Sequence, residues 1–172
     1  VLAILVMKRI LFILLVLSSL SFTEGENQTQ ELHWYHWNEG FVKAQQEGKI
    51  ALIDVYTDWC GWCKRMDKDT YAKQGIIDQI NAHFVPIKFN PEVHNGLIVG
   101  PDTMSGNQLL GALSRGNHSG FPTTYFYIPQ KNHMLQYGGY QDSAKFSRIL
   151  DEVLATSLAP IEKAPETSVP NK

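Results

Sequence analysis

The sequence predicts an α/β layered fold, and three observations carry that prediction. Residues 50–56 form a short apolar run rich in β-branched side chains (Ile50, Ile53, Val55), the pattern of a central strand covered on both faces. Segments with helical spacing of apolar residues lie on either side of it. Two further strand-like stretches, 84–89 and 123–128, follow at distances that leave room for helices between them, so the order reads helix, strand, helix, strand, helix, hairpin, helix.

Each element has its own warrant. Trp34, Trp37, Phe41 and Ala44 recur at intervals of three and four, which predicts a helix with one core-facing apolar stripe and a stop at Gly48. The strand at 50–56 is followed by a helix over 64–68 and another helical segment over 75–81. Residues 84–89 form the next strand, and Pro86 within it, having no N–H to give to a ladder, marks an edge or strand-entry position. Pro91, Gly96, Gly100 and Pro101 break any period, so 90–104 reads as loop. A helix carrying Leu109, Leu110 and Leu113 spans 105–115, and 116–120 is turn material. The strand 123–128 turns at 129–132 into a second strand over 133–137. After Gly138 and Gly139, a helix capped by Asp142 or Ser143 buries Phe146, Ile149, Leu150, Val153 and Leu154.

The ends of the chain read differently. Lys8 and Arg9 precede an apolar stretch over 10–17 and then small residues at 18–21, the pattern of a signal peptide over 1–21. Residues 22–33 are expected to be a flexible segment, 34–158 the folded domain and 159–172 a disordered tail with prolines at 160, 165 and 170. This predicts an exported protein, periplasmic in the first instance, or membrane-anchored if the leader is retained. A net charge of −2 gives no electrostatic basis for binding nucleic acid or an anionic membrane surface. The mature domain is large enough to bury its own core without staples.

The chain has only two cysteines, Cys60 and Cys63, placed directly after the apolar strand. Two intervening residues let both thiols sit on the first turn of a helix, where unpaired N–H groups and the helix dipole favour a thiolate, the species that attacks disulfides. A bridge across so small a loop removes little entropy from the unfolded chain, so reactivity explains the spacing better than stability does. With no further cysteine, and with His33, His36, His83, His94, His118 and His133 scattered, no metal-ligand spacing forms around the pair, and a copper-delivery module is the weaker alternative.

The motif of Trp59, Cys60, Gly61, Trp62, Cys63 and Lys64 after a strand resembles that of the thioredoxin family, and the resemblance covers roughly 34–158. Asp54, six residues before Cys60, stands where that family keeps a buried carboxylate. Lys88 resembles the lysine that partners it, and Gly120, Phe121, Pro122 and Thr123 match the cis-proline loop facing the cysteines. With Thr70 and Tyr71 following, the chain is most similar to exported thioredoxin-like proteins and to the soluble domain of transmembrane thiol reductases.

The resemblance implies a thioredoxin fold, with a central mixed β-sheet flanked by helices on both faces, and a thiol-disulfide oxidoreductase that needs no cofactor and no metal. It implies that Cys60 is the exposed, attacking thiolate and that Cys63, more buried, resolves the mixed disulfide. Asp54 then takes the Cys63 proton, Lys88 modulates Asp54, and Trp59, Gly61, Trp62, Phe121, Pro122 and Thr123 contact the substrate. Partners implied are disulfide-containing exported proteins and a membrane thiol reductase as electron donor, with the protein itself a monomer. A non-catalytic interaction domain of the same fold is the alternative reading. Trp62 departs from the Pro or His common at its position, and a bulky neutral indole there argues against a strong oxidant.

Overall fold

The structure of the chain, a computed structural model, describes residues 30–160. The expected leader, most of the expected flexible segment and all but the start of the expected tail lie outside the described residues. Residues 30–33 lie against the helix over Gln74–His83, whose Gln74 and Asn81 side chains donate to the carbonyls of Gln30 (3.4 Å) and Glu31 (3.3 Å).

The elements in chain order are α1 (Trp37–Glu47), β1 (Ile50–Val55), α2 (Gly61–Met66) running into a π-helical turn (Asp67–Tyr71), α3 (Gln74–His83) and β2 (Phe84–Phe89). There follow β3 (Leu97–Val99), β4 (Asp102–Met104), α4 (Gly106–Ser114), β5 (Thr123–Ile128), a 3-10 turn (Pro129–Lys131), β6 (His133–Gly138) and α5 (Ser143–Leu158). Strands β2, β1, β5 and β6 form one sheet in that order; β1 is parallel to β2 and antiparallel to β5, which is antiparallel to β6. All of β1 is buried, as its composition requires, and β2 is an edge strand of this sheet, where Pro86 removes no ladder bond that the sheet needs.

The pleat sends alternate residues of β1 to opposite faces. Ile50 and Leu52 join Met66, Tyr71, Ile76, Ile80, Phe126, Phe146, Leu150 and Val153 in a core beneath α2, α3 and α5. Ala51, Ile53 and Val55 join Trp37, Ala44, Ile87, Phe89, Leu109 and Tyr125 in a second core beneath α1 and α4. Each fully buried Leu, Ile or Phe contributes about 1.5–3 kcal/mol to keeping these layers closed. Asp54, two residues beyond Leu52, therefore projects into the first core, on the side of α2. That parity sets up the site.

Three expectations are corrected. The first helix starts at Trp37, not Trp34: Tyr35 instead pairs with β2, its N–H donating to the Pro86 carbonyl (2.9 Å) and its carbonyl accepting from the Lys88 N–H (3.0 Å). Segment 90–104 is not loop throughout, because β3 and β4 form a small hairpin across Gly100 and Pro101. The helix that carries the cysteines begins at Gly61, as their spacing implied, but through the π turn it reaches Tyr71 rather than ending at Lys68. Elsewhere the caps fall where the sequence put them. Gly48 ends α1 in the left-handed region (φ 63°), and Asp142 caps α5 by accepting from the Lys145 N–H at 2.8 Å.

Candidate active site

Cys60 and Cys63 are joined as a disulfide, with Cα atoms 5.3 Å apart. A tight turn presents them: the Cys60 N–H donates to the Thr57 carbonyl (3.1 Å), and Cys60 then becomes the N-cap of α2. Its Sγ accepts from the Cys63 N–H at 3.1 Å. The same backbone donor is placed to stabilise a thiolate on Cys60 after reduction. Exposure does not separate the two sulfurs in this state: Cys60 is 4% and Cys63 3% exposed. The expectation of an exposed Cys60 is thus not met in the oxidised form, and the position at the helix end is what distinguishes the two.

Two indoles frame the disulfide instead. Trp59 is 67% and Trp62 54% exposed. The Trp59 N–H donates to the Glu92 carboxylate (3.0 Å to each oxygen), and its ring meets Phe121 edge-on at 5.7 Å. Trp62 packs on Tyr140 at 5.4 Å, with the Arg65 guanidinium over both rings. Gly61 is the first helical residue, with open space around its Cα.

The Phe121–Pro122 peptide bond is cis. Gly139 N–H donates to the Pro122 carbonyl (2.8 Å), and the Thr123 hydroxyl donates to the Gly120 carbonyl (2.7 Å), so the loop is held from both sides at the start of β5. Phe121 also packs on His118 (4.7 Å), whose partial burial lowers its pKa below the ordinary histidine value.

A buried polar cluster spans β1, β2, β5 and the π turn that continues α2. Asp54 pairs across the sheet with Lys88 on one side and Thr124 on the other. Asp54 is 2% exposed; its Oδ2 accepts from Lys88 Nζ at 2.6 Å and its Oδ1 from the Tyr71 hydroxyl at 3.2 Å. Lys88 also bonds the Asp67 carboxylate and sits over the rings of Trp34 (4.6 Å), Tyr56 (5.2 Å) and Tyr71 (5.3 Å). Burial raises the Asp54 pKa above its ordinary value, and Lys88 offsets this only in part. Burial pulls Lys88 down, but Asp54 and Asp67 outweigh it, so Lys88 stays an ammonium. Among the described residues no cluster of three His, Cys, Asp or Glu side chains is placed to hold a metal ion.

The structure thus gathers Asp54 and Lys88 into one cluster, and links Trp59 to the Phe121–Pro122 loop. Sequence reasoning left out Asp67, Glu92 and Tyr140, and gave Tyr71 no role. Asp67 had a signal, lying one helical turn (four residues) beyond Cys63. Glu92 and Tyr140 lie in irregular segments, where no period announces them.

The profile of one family, Thioredox_DsbH (protein of unknown function, DUF255), matches residues 19–164. The chain belongs to this family. Among relatives, the thiol:disulfide interchange protein DsbD of Yersinia pestis is 28% identical over 119 residues, covering 67% of this chain and 18% of that protein. The protein disulfide-isomerase C17H9.14c of Schizosaccharomyces pombe is 26% identical over 141 residues, covering 82% of this chain and 33% of the other. The chain therefore spans only a fraction of the length of these two relatives. Among solved structures, a thioredoxin from Thermus thermophilus superposes with a TM-score of 0.60 at 20% identity, covering 75% of this chain and 92% of that one. A DsbH oxidoreductase does so with a TM-score of 0.52 at 19% identity, covering 77% and 95%. The fold of this Thioredox_DsbH member is the thioredoxin fold, a mixed sheet with helices on both faces.

Proposed function

We propose that the chain is an exported thiol-disulfide oxidoreductase that reduces or exchanges disulfides of exported proteins through Cys60 and Cys63. The observation that carries this reading is the disulfide at the first turn of α2, backed by the buried Asp54–Lys88 pair and rimmed by exposed Trp59 and Trp62. Its relatives DsbD and the disulfide isomerase support the reaction class.

In the reduced protein the Cys60 thiolate, stabilised by the Cys63 N–H, attacks a substrate disulfide and releases one substrate thiolate. The mixed disulfide is then broken by Cys63. Its proton passes to Asp54, its sulfur bonds to Cys60 Sγ, and the second substrate thiolate leaves. The product is the Cys60–Cys63 disulfide of this structure. Phe121, Pro122 and Thr123 offer backbone to an extended substrate strand beside the sulfurs, and Trp59, Gly61 and Trp62 form the apolar rim. Export rests on the basic and apolar pattern over 1–21. The electron donor is a membrane thiol reductase, in keeping with the likeness to DsbD. Among the described residues no helix is long and apolar enough to cross a membrane.

The test is reduction of an insulin-type disulfide by the dithiol form, together with the glutathione equilibrium of the pair. Turnover that disappears in Cys60→Ser, with a potential well below about −120 mV, is the expected result. A wild-type protein without turnover overturns the enzymatic reading. A potential near that of dedicated oxidants overturns the reductive direction.

A further inference from the structure

The two oxygens of Asp54 meet different chemistry. Oδ2 faces Lys88 Nζ at 2.6 Å, an ammonium with only protons to give. Oδ1 faces the Tyr71 hydroxyl at 3.2 Å, and that hydroxyl lies 3.3 Å from Thr124 Oγ1, where either atom can donate. Tyr71 (3% exposed) and Thr124 (1%) are both buried.

A hydroxyl can donate and accept at once, so this pair has two arrangements. With Asp54 charged, Thr124 donates to Tyr71 and Tyr71 donates to Oδ1. With a proton on Oδ1, the direction reverses: the carboxyl O–H donates to Tyr71 Oη, and the Tyr71 hydroxyl turns to Thr124 Oγ1. Each arrangement keeps two hydrogen bonds among the three groups, but in the second the Thr124 hydroxyl proton loses its acceptor, so the charged arrangement is the better satisfied. A proton on Oδ2 has no acceptor at all, because it points at the ammonium. Leaving a buried polar group unpaired costs about 1–3 kcal/mol, so a proton on Asp54 is held on Oδ1 rather than Oδ2.

We propose that Tyr71 and Thr124 are positioning residues for the exchange reaction, a reversible two-hydroxyl relay that seats the Asp54 proton on Oδ1 and keeps both charge states of Asp54 hydrogen-bonded. The proposal rests on the reading that Asp54 takes the Cys63 proton. In that step the Cys63 S–H bond breaks and the Asp54 Oδ1–H bond forms, while the Cys63 sulfur electron pair makes the bond to Cys60 Sγ as the Cys60–substrate S–S bond breaks and the substrate thiolate leaves. The groups that face Asp54 are Lys88 from β2, Tyr71 from the π turn, Thr124 from β5 and, through Lys88, Asp67. Phe146 of α5 packs edge-on against Tyr71 (5.2 Å) and adds no charge. Burial, and then the Asp54 charge, hold the Tyr71 pKa well above its ordinary value, so the phenol keeps its proton throughout.

The experiment is a carbon-13 NMR titration of the Asp54 carboxyl in the full-length oxidised protein, which reads the relay without any turnover. Tyr71→Phe removes a charge-assisted donor to the carboxylate and only a weaker, neutral acceptor of the protonated form, so the Asp54 midpoint should rise by roughly 0.5–1 pH unit. Thr124→Val should move it the same way by less, and Thr124→Ser should restore the wild-type value. Should Tyr71→Phe fail to fold, the Val and Ser variants at 124 decide alone. Coincident midpoints in wild type, Tyr71→Phe and Thr124→Val overturn the relay. Separately, an Asp54→Asn protein that resolves mixed disulfides at the wild-type rate overturns Asp54 as the proton acceptor, and leaves the titration result legible by itself.

Discussion

Lys88 is the residue at which distant parts of the chain meet. It joins the β1 carboxylate of Asp54 to Asp67 on the π turn, and three aromatic rings from separate segments enclose its ammonium. Such a charge pair is weak support for stability, because taking both charges out of water cancels most of their attraction. Its effect falls on Asp54 instead. Burial raises the Asp54 pKa and Lys88 lowers it, so Lys88→Met should raise it further. With the charged carboxylate as the proposed acceptor of the Cys63 proton, the acid limb of the exchange rate should then move to higher pH. A pH–rate profile of mixed-disulfide resolution checks this, and an unmoved limb contradicts it. The linkage to stability has the matching sign. A carboxyl whose folded pKa is raised stabilises the fold below its unfolded value, and that stability is lost as pH rises through the folded pKa. Asp54→Asn should therefore gain stability over wild type as pH rises from acid to neutral, measured as Tm at a series of pH values. Asp54 and Lys88 were legible because they stand at positions that the thioredoxin resemblance marks, and the strand register makes them neighbours. Tyr71 was not, because its reach to Asp54 depends on the π turn, which no helical period encodes.

At the scale of elements, strong periods were read correctly and mimicked ones were not. β1 and β5 are buried runs rich in β-branched and aromatic side chains, and α5 repeats its buried residues at three and four, so sequence and structure agree on them. Trp34 continues the spacing of Trp37 and Phe41, yet Tyr35 is committed to β2 by two backbone hydrogen bonds, and the helix cannot begin until those are made. The three-residue strands β3 and β4 are too short to show alternation; only their turn residues were visible. This segment is tied to the body at Gly106, the first residue of α4. A Cβ there would lie 2.1 Å from the Pro91 carbonyl oxygen and 2.7 Å from that of His94. Backbone atoms cannot step aside cheaply, so Gly106→Ala should destabilise the protein by about 1–3 kcal/mol. Denaturant unfolding tests this. The same substitution at Gly75, which has open space around it, serves as the control and should be stabilising or nearly neutral.

For the whole molecule, the sheet brings together residues that the sequence holds far apart: Asp54, Lys88 and Thr124 lie at adjacent register positions on three strands. Two cores close over the sheet, and neither relies on the disulfide. The bridge closes a loop with a sequence separation of only 3, so replacing both cysteines by Ser should cost no more than about 2 kcal/mol. A larger loss would mean that the pair is a structural staple. In the proposed reaction the two thiols do different work, with Cys60 attacking and Cys63 resolving. The measurement closest to that division of work is trapping with a disulfide substrate in Cys63→Ser and Cys60→Ser side by side. Accumulation of a mixed disulfide on Cys60 in Cys63→Ser, with little adduct in Cys60→Ser, is the predicted result. Equal adducts in both variants, or none in Cys63→Ser, would contradict it.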